Sequence, residues 1–420
     1  MAERRKTIEV HADWQRIGGP MLMGSLHAAP GRRGDLFSFE YDQGWLTSGF
    51  AQQIDPRLQL FAGEQHSPDG SFGLFLDSSP DRWGRTLLDR REARRARAES
   101  RKPRPLHESD YLLGVFDKHR MGALRFRLTA DGPFLDDEGG RASPPWTSLR
   151  ELEAASLALE DEGAESDPHY DEWLAMLVAP GTSLGGARPK AGVLDPKGQL
   201  WLAKFPSRED REDIGGWEAV AFRLAGRCGI DVFEFEARRF GSPHHTFLAR
   251  RFDRTNAGVR VHFASAMTLL DRNDGDDHEK AVSYLDLAEL IARDGSRPAP
   301  DLEQLWRRIV FFMCVSNVDD HLRNHGFLLD PGRGWKLAPA YDVNPFAAGN
   351  GLTLNVSETD NVQDLGLALE VSGQFRLRRP VAEEIIAEVR KAARKWSVEA
   401  RKLGISNAAI DRMAPAFRLA

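Results

Sequence analysis

Cysteine is scarce in this chain: two in 420 residues, Cys228 and Cys314. Two are too few for a disulfide framework, and their spacing matches no zinc site. Both lie in apolar stretches of helical character, which predicts reduced core residues in a cytosolic protein. Long hydrophobic runs are also missing. No stretch approaches the ~20 apolar residues that cross a bilayer, so no membrane association is expected. The first residues, MAERRKTIEV, are basic but have no apolar segment after them, so no secretory signal is expected. Charge of one sign is not in excess. The 57 Lys and Arg stand against 63 Asp and Glu, and the net −6 argues against general coating of nucleic acid. There is no internal repeat and no low-complexity tract.

What is present is the composition of a soluble globular protein, 41% apolar and 29% charged, in a chain long enough for two or three domains. Cationic charge concentrates in one place, Arg82 to Arg104, with Arg85, Arg90, Arg91, Arg94, Arg95, Arg97, Arg101 and Lys102 between. The run reads as the solvated face of a helix in preference to a phosphate-binding patch.

Residues 6–62 alternate short apolar segments with turns and predict a small antiparallel sheet: Thr7–Val10, Pro20–Leu26 and Leu36–Tyr41. The Arg-rich helix follows, with Ser79 or Asp81 as its cap. A helix over Ser109–Phe116 and a strand over Gly122–Arg127 complete an amino-terminal β-rich subdomain, residues 1–130. Residues 131–170 read as linker and helix. Residues 171–255 hold a Gly-rich turn, a hairpin (Ala191–Leu194, Leu200–Phe205), a helix (Gly216–Gly229) and two strands (Val232–Phe240, Thr246–Phe252). Residues 256–420 are mainly helical: Ser283–Asp294, Asp301–Val315, Val381–Lys395 and Asn407–Met413. The class is α+β.

The stretch from Phe311 to Phe346 carries the chemistry. An uncharged apolar run, Val310 to Val315, releases Asn317, Asp319, Asp320, His321, Arg323 and Asn324 in quick succession. A short hairpin follows, then Asp342. Protein kinases use an acid that accepts the substrate hydroxyl proton, an Asn shortly after it on magnesium, and a later Asp holding metal on the ATP phosphates. Asp319 and Asn324 have the D-x-x-x-x-N spacing. Taken alone, the pattern fits a capped helix end and a solvated hairpin equally well.

Two earlier features bear on it. Pro180 to Lys190 is a Gly-rich turn ending in Arg188, Pro189 and Lys190. It is neither a Walker A loop nor G-x-G-x-x-G, but its glycines would let backbone N–H groups approach an anion. Lys204 ends an apolar strand, and Lys is seldom buried unpaired. Glu218 on the next helix is a candidate partner, as in the kinase Lys–Glu pair.

Taken together these stretches resemble the HipA-type serine/threonine kinases of bacterial toxin–antitoxin systems. Asn317 to Asn324 is similar to that family's N-x-D-D-H-x-K-N loop, and Leu337 to Val343 to its L-x-P-x-Y-D-x segment. Ser183 to Lys190 is similar to its phosphate loop, Arg251 to Arg254 to its R-F-D-R element, and Ser79 to Arg85 to its P-D-x-W-G-R segment. The resemblance spans nearly the whole chain in order. It implies a two-lobed protein-kinase-like fold with a mainly helical carboxy-terminal lobe, and ATP and Mg2+ as cofactors. Asp319 would be the catalytic base, with His321 and Arg323 in the catalytic loop, and Asn324 and Asp342 the metal ligands. The ATP contacts would be Ser183, Leu184, Gly185, Gly186, Ala187, Arg188, Pro189, Lys190 and Lys204, with Arg250 and Phe252 near the adenine. Ser183 would be autophosphorylated, which switches the kinase off.

The implied activity is that of a growth-arresting cytoplasmic toxin. It would phosphorylate a translation component of the aminoacyl-tRNA synthetase class. A HipB-like DNA-binding antitoxin would hold it and tether it to operator DNA. A small-molecule kinase and a catalytically silent co-repressor scaffold are the alternatives. Two residues depart from the pattern: Arg323 stands where the family usually has Lys, and Arg250 where an acid is frequent.

Overall fold

A computed structural model describes residues 5–31, 34–68, 70–135, 144–178 and 186–420. The chain forms two compact units. The first comprises Met1–Arg208 with Asp253–Ala264, the second Glu209–Phe252 with Ser265–Ala420.

In the first unit a five-stranded antiparallel sheet has the spatial order Glu64–His66, Asp35–Tyr41, Met21–Pro30, Lys6–Ala12, Leu124–Arg127. Alternation puts Ile8, Val10, Leu26, Phe39 and Phe126 on one face, all fully buried. The sheet leaves no room for a side chain at Gly24, where a Cβ would lie 2.2 Å from the Glu40 carbonyl oxygen. The Arg-rich helix runs Arg82–Ala98 and buries Trp83, Leu87, Leu88 and Ala96. Its cap is Asp81, whose Oδ1 accepts the Gly84 N–H at 2.8 Å. The basic run pairs with carboxylates of the same unit: Arg85 with Glu108, Arg94 with Asp171, Arg97 with Glu165, Arg101 with Glu92 and Arg104 with Asp110. It is an ion-paired helix face.

Within the expected linker, residues 136–143 lie outside the described residues. Helices Leu149–Leu159 and Tyr170–Val178 follow, then the hairpin Lys190–Leu194 and Leu200–Lys204. Asp253–Ala264 returns to this unit through Arg254. Its guanidinium donates to the carbonyls of Lys118 (3.1 Å), Arg120 (2.9 Å) and Gly122 (3.2 Å), while Asp253 accepts the Gly122 N–H at 2.8 Å.

One buried acid makes this unit pH-sensitive. The Asp55 carboxylate accepts the Arg57 and Leu74 N–H groups at 2.8 and 2.9 Å, yet burial outweighs both donors and pushes its pKa from 3.8 up to about 6. A raised acid pKa means that folding favours the protonated form. Its contribution is full below the unfolded pKa and is lost as pH rises through about 6. Relative to Asp55→Asn, the wild type is expected to lose about 2 kcal/mol between about pH 4 and pH 7. Urea unfolding at both pH values checks this; a pH-independent difference would show that the carboxyl stays ionised.

In the second unit, helix Ile214–Arg227 is capped by Asp213, and the hairpin Phe235–Arg238 with Thr246–Arg250 is shorter than the sequence predicts. The chain leaves the sheet where Phe252 stacks between Phe233 and Tyr341, at ring distances of 6.0 and 5.5 Å. The helices Tyr284–Asp294, Pro298–Val315, Arg379–Ala393, Trp396–Lys402 and Asn407–Met413 make up most of the rest. From Ile309 to Val315 the long helix is buried on every side, with Phe312, at 3% exposure, the most accessible residue. That explains its uncharged run. Cys228 and Cys314 are buried and unbridged, and burial pushes both thiols up to about 12. Among the described residues no helix is long and apolar enough to cross a membrane.

Candidate active site

The long helix ends at Ser316, which takes the left-handed conformation (φ 50°) usually left to glycine. The polar loop begins there. Adjacent aspartates in it have opposite fates. Asp319 is exposed, while Asp320 is 1% exposed. The Oδ2 of Asp320 accepts the Tyr284 hydroxyl at 2.7 Å and pairs with His325 Nε2 at 2.6 Å. Tyr284 is itself fully buried; burial and the Asp320 charge hold its hydroxyl protonated far beyond the usual range. Asp320 is therefore a pillar under the loop, and Asp319 is the carboxylate offered to solvent.

The loop backbone is tied down residue by residue. The Ser316 carbonyl accepts the Phe346 N–H (3.1 Å), and the Val318 carbonyl accepts the Thr353 hydroxyl (2.6 Å). The Asp319 carbonyl accepts Asn324 Nδ2 (2.9 Å), that of His321 accepts the Asn324 N–H (2.8 Å), and that of Arg323 accepts the Tyr341 hydroxyl (2.7 Å). Each such bond contributes about 1 kcal/mol net. Together they fix the loop in one shape before any ligand arrives, which is what a positioned base needs.

Hairpin Gly326–Asp330 with Gly334–Leu337 then carries the chain to Asp342. Asp342 is half-buried and also left-handed (φ 55°), a conformation Asp tolerates better than most residues. Asn344 links it back to the loop. Its Nδ2 donates to Asp342 Oδ1 at 3.3 Å, and its N–H donates to Asn317 Oδ1 at 2.9 Å. Tyr341, stacked on Phe252, sets the other flank.

This set suits magnesium, which takes oxygen donors and few protein ligands. Asn324 is buried, and its Nδ2 is engaged by the Asp319 carbonyl, which leaves Oδ1 as the donor atom. Asn344 Oδ1, two residues from Asp342, is a buried oxygen with no hydrogen-bond partner among the described residues, a local excess of acceptors that a cation would offset.

The second unit thus brings together Asp319, His321, Arg323, Asn324, Asp342 and Phe252. His321 is half-buried, and its Nδ1 has no hydrogen-bond partner among the described residues. Arg323 lies 3.4 Å from Asp274, and Arg250 3.5 Å from Glu234. Glu218 is 2% exposed on its helix.

In the first unit, Ser183, Leu184 and Gly185 lie outside the described residues. Gly186 is left-handed (φ 104°), Gly186 and Ala187 are exposed, and Arg188 is half-buried. The Pro189 carbonyl accepts the Phe205 N–H at 2.8 Å, which pins the turn to the hairpin. Lys190 is 1% exposed, 2.7 Å from the equally buried Asp81, and also donates to the Gly186 carbonyl at 3.4 Å. Lys190 and Lys204 face each other in register. Two ammonium groups opposed across a hairpin repel unless anions stand near them. The sequence reading missed the Asp81–Lys190 pair. The strand starts at Lys190, one residue earlier than expected, and a buried Lys requires a carboxylate, but the sequence does not say which.

A model of the HipA-like C-terminal domain matches residues 182–396. Among curated proteins, a Haemophilus influenzae protein named "Putative kinase" is 29% identical over 187 residues, 40% of this chain and 54% of that protein. "Putative kinase Y4mE" of Sinorhizobium fredii is 30% identical, over 38% of this chain and 41% of its own length. The match thus spans about half the length of these two relatives. "Putative kinase Y4dM" of the same organism is 25% identical over 65% of this chain and 75% of its own. Among solved structures, Shewanella oneidensis HipA, from a complex with HipB and its operator DNA, superposes with a TM-score of 0.67. It is 16% identical and covers 98% of this chain and 95% of that one. At that identity the likeness concerns the fold, a mixed α/β kinase-like architecture.

Proposed function

This chain belongs to the family of the HipA-like C-terminal domain, and we propose that it is an ATP-dependent serine/threonine protein kinase acting as the toxin of a toxin–antitoxin pair. The observation that carries the reading is the anchored loop. It leaves Asp319 exposed beside a buried Asp320 and engages Asn324 through Nδ2 alone, with Asp342 following the next hairpin.

In this reading the Asp319 carboxylate accepts the proton of a substrate hydroxyl as the oxygen attacks the terminal phosphorus of ATP. The bond to the ADP oxygen breaks, and ADP leaves. Asn324 and Asp342 would hold magnesium, which would neutralise charge on the phosphates. The opposed Lys190 and Lys204 of the hairpin supply positive charge for the phosphate oxygens. By the family resemblance, Lys204 and the backbone of 184–190 are the remaining proposed phosphate contacts. Arg250 and Phe252 lie by the adenine, with the Phe252 ring held by Phe233 and Tyr341. His321 and Arg323 shape the loop that carries the base.

The proposed partners are those of the HipA-type resemblance, and the Shewanella HipA complex with HipB and operator DNA supports the first two. They are a HipB-like DNA-binding antitoxin, operator DNA reached through it, and a cytoplasmic translation component as protein substrate. Autophosphorylation at Ser183 shuts the site.

Incubation with labelled ATP and magnesium, followed by mass spectrometry of the peptide containing Ser183, tests the reading. Phosphate on Ser183 in wild type, absent from Asp342→Asn, is the expected result. Transfer to a metabolite panel without protein labelling would instead make it a small-molecule kinase. Failure to bind magnesium-ATP would make it a scaffold.

A further inference from the structure

The loop that carries Asp319 is gripped from behind by a group that no motif includes. Ser316 is the hinge of the site. Its carbonyl holds the Phe346 N–H of the segment that follows Asp342, and the Asn317 N–H after it closes back on the Phe312 carbonyl at 2.9 Å. The Ser316 hydroxyl donates to Gln363 Oε1 at 3.0 Å, and Gln363 is only 6% exposed. Arg418 closes the arrangement. One of its terminal nitrogens donates to the same Gln363 Oε1 at 3.0 Å. The other lies 3.4 Å from both the Ser316 hydroxyl and the Gly349 carbonyl. Gly349 in turn lies against Val318, whose side chain would be 2.4 Å from a Cβ at that position. One guanidinium therefore joins the turn into the base-bearing loop to both ends of the strap 349–363, and the Ser316 carbonyl holds the segment after Asp342.

The arrangement is more than surface decoration. A left-handed serine carries a backbone cost, and such a conformation persists only where its surroundings over-determine it. Here the surroundings are a buried amide and a charged donor. Arg418 is held in place by its own neighbours, Phe417 and Leu419. Phe417 stacks on Trp396 at 4.4 Å and lies 6.4 Å from Trp217, and the Leu419 carbonyl accepts from Cys314 Sγ and Arg390 Nε. The residues around Arg418 are thus docked on the long helix that ends at Ser316.

We infer that Arg418, acting through Gln363 and Ser316, is a positioning residue that fixes Asp319 relative to Asp342. It touches neither substrate nor nucleotide. The inference rests on the kinase reading for its catalytic consequence, but the clamp itself can be measured without activity.

The experiment compares wild type, Arg418→Ala, Arg418→Lys, Ser316→Gly and, as control, Arg379→Ala, which breaks an exposed pair with Glu383 on another helix. Hydrogen exchange read by mass spectrometry follows the amides of Asn317, Asn344 and Phe346. Exchange at least about tenfold faster in Arg418→Ala, with helix 298–312 unchanged, is expected. Ser316→Gly keeps the left-handed turn and loses only the hydroxyl, so it is expected to show a smaller change at the same amides. Phosphoryl transfer in Arg418→Ala is expected to fall about tenfold in kcat, with KM for magnesium-ATP within about twofold, and Arg418→Lys is expected to recover part of it. Unchanged exchange at the three amides overturns the inference. So does an unchanged kcat in an active protein, or a loss reproduced by Arg379→Ala. A wild type that transfers no phosphate removes the kinase reading, and the exchange arm then decides the clamp by itself.

Discussion

Asp319→Asn is expected to lower kcat for phosphoryl transfer by about 10²–10⁴-fold, the range a positioned general base contributes. KM for magnesium-ATP should change little, because the substitution removes a proton acceptor and no proposed phosphate contact. The fold should be indifferent. The side chain is exposed, and asparagine retains the Asp319 backbone carbonyl that accepts Asn324 Nδ2. A melting temperature within about 2 °C of wild type is therefore expected. The contrast with Asp342 sharpens the test. Asp342→Asn keeps a residue that tolerates φ near 55°, whereas Asp342→Ala adds backbone strain to the loss of the carboxylate. Asn is thus the probe that isolates chemistry at both positions. A rise in the magnesium concentration needed for half-maximal rate is expected at Asp342 and not at Asp319. Steady-state kinetics across a magnesium series reads both. Equal turnover by wild type and Asp319→Asn would remove the base from Asp319.

Much of this was legible before the structure because the signals were local. The apolar run within the helix expected over 301–315, the helix expected from Ser283, the Gly-rich turn before a hairpin, and each of five motifs need only neighbouring residues. Their elements stand within a few residues of the positions expected. The pairs that set the electrostatics were not legible. Lys190 finds Asp81, 109 positions away, and Arg254 reaches the 118–122 carbonyls across more than 130. Arg418 meets Ser316 across 102. Periodicity carries no information at such separations. The neighbours Asp319 and Asp320 show the same limit at short range. In an irregular loop no period says which carboxylate faces water; the D-x-x-x-x-N spacing points to Asp319, and the structure leaves Asp319 exposed and Asp320 buried. Ser316 is a further case: a left-handed cap is anticipated at glycine, and a serine there announces nothing in sequence.

The burial of Asp320 makes it the more damaging site for stability, and the chemistry of its partners sets the size. Asp320→Ala would leave the Tyr284 hydroxyl and His325 Nε2 without an acceptor in a region where Tyr284 is 0% and His325 1% exposed. Breaking a buried pair in this way costs about 3–5 kcal/mol, most of it from stranded polar groups. For a folding unit of this size that is roughly a 10 °C fall in melting temperature. Asp320→Asn retains one oxygen able to accept both donors, so about half the loss is expected. Tyr284→Phe removes only one donor, at about 1 kcal/mol, and the double variant with Asp320→Ala should cost less than the sum, since the hydroxyl is no longer there to be stranded. Calorimetry on the four proteins reads this cycle. Strict additivity would show that the tyrosine and the carboxylate act independently, and a melting temperature unchanged in Asp320→Ala would mean that the loop does not stand on this residue. The separation matters for interpretation. A loss of transfer in Asp320→Ala comes with a loss of fold, and a loss in Asp319→Asn does not, so the two adjacent carboxylates can be told apart by measurement although the sequence lists them side by side.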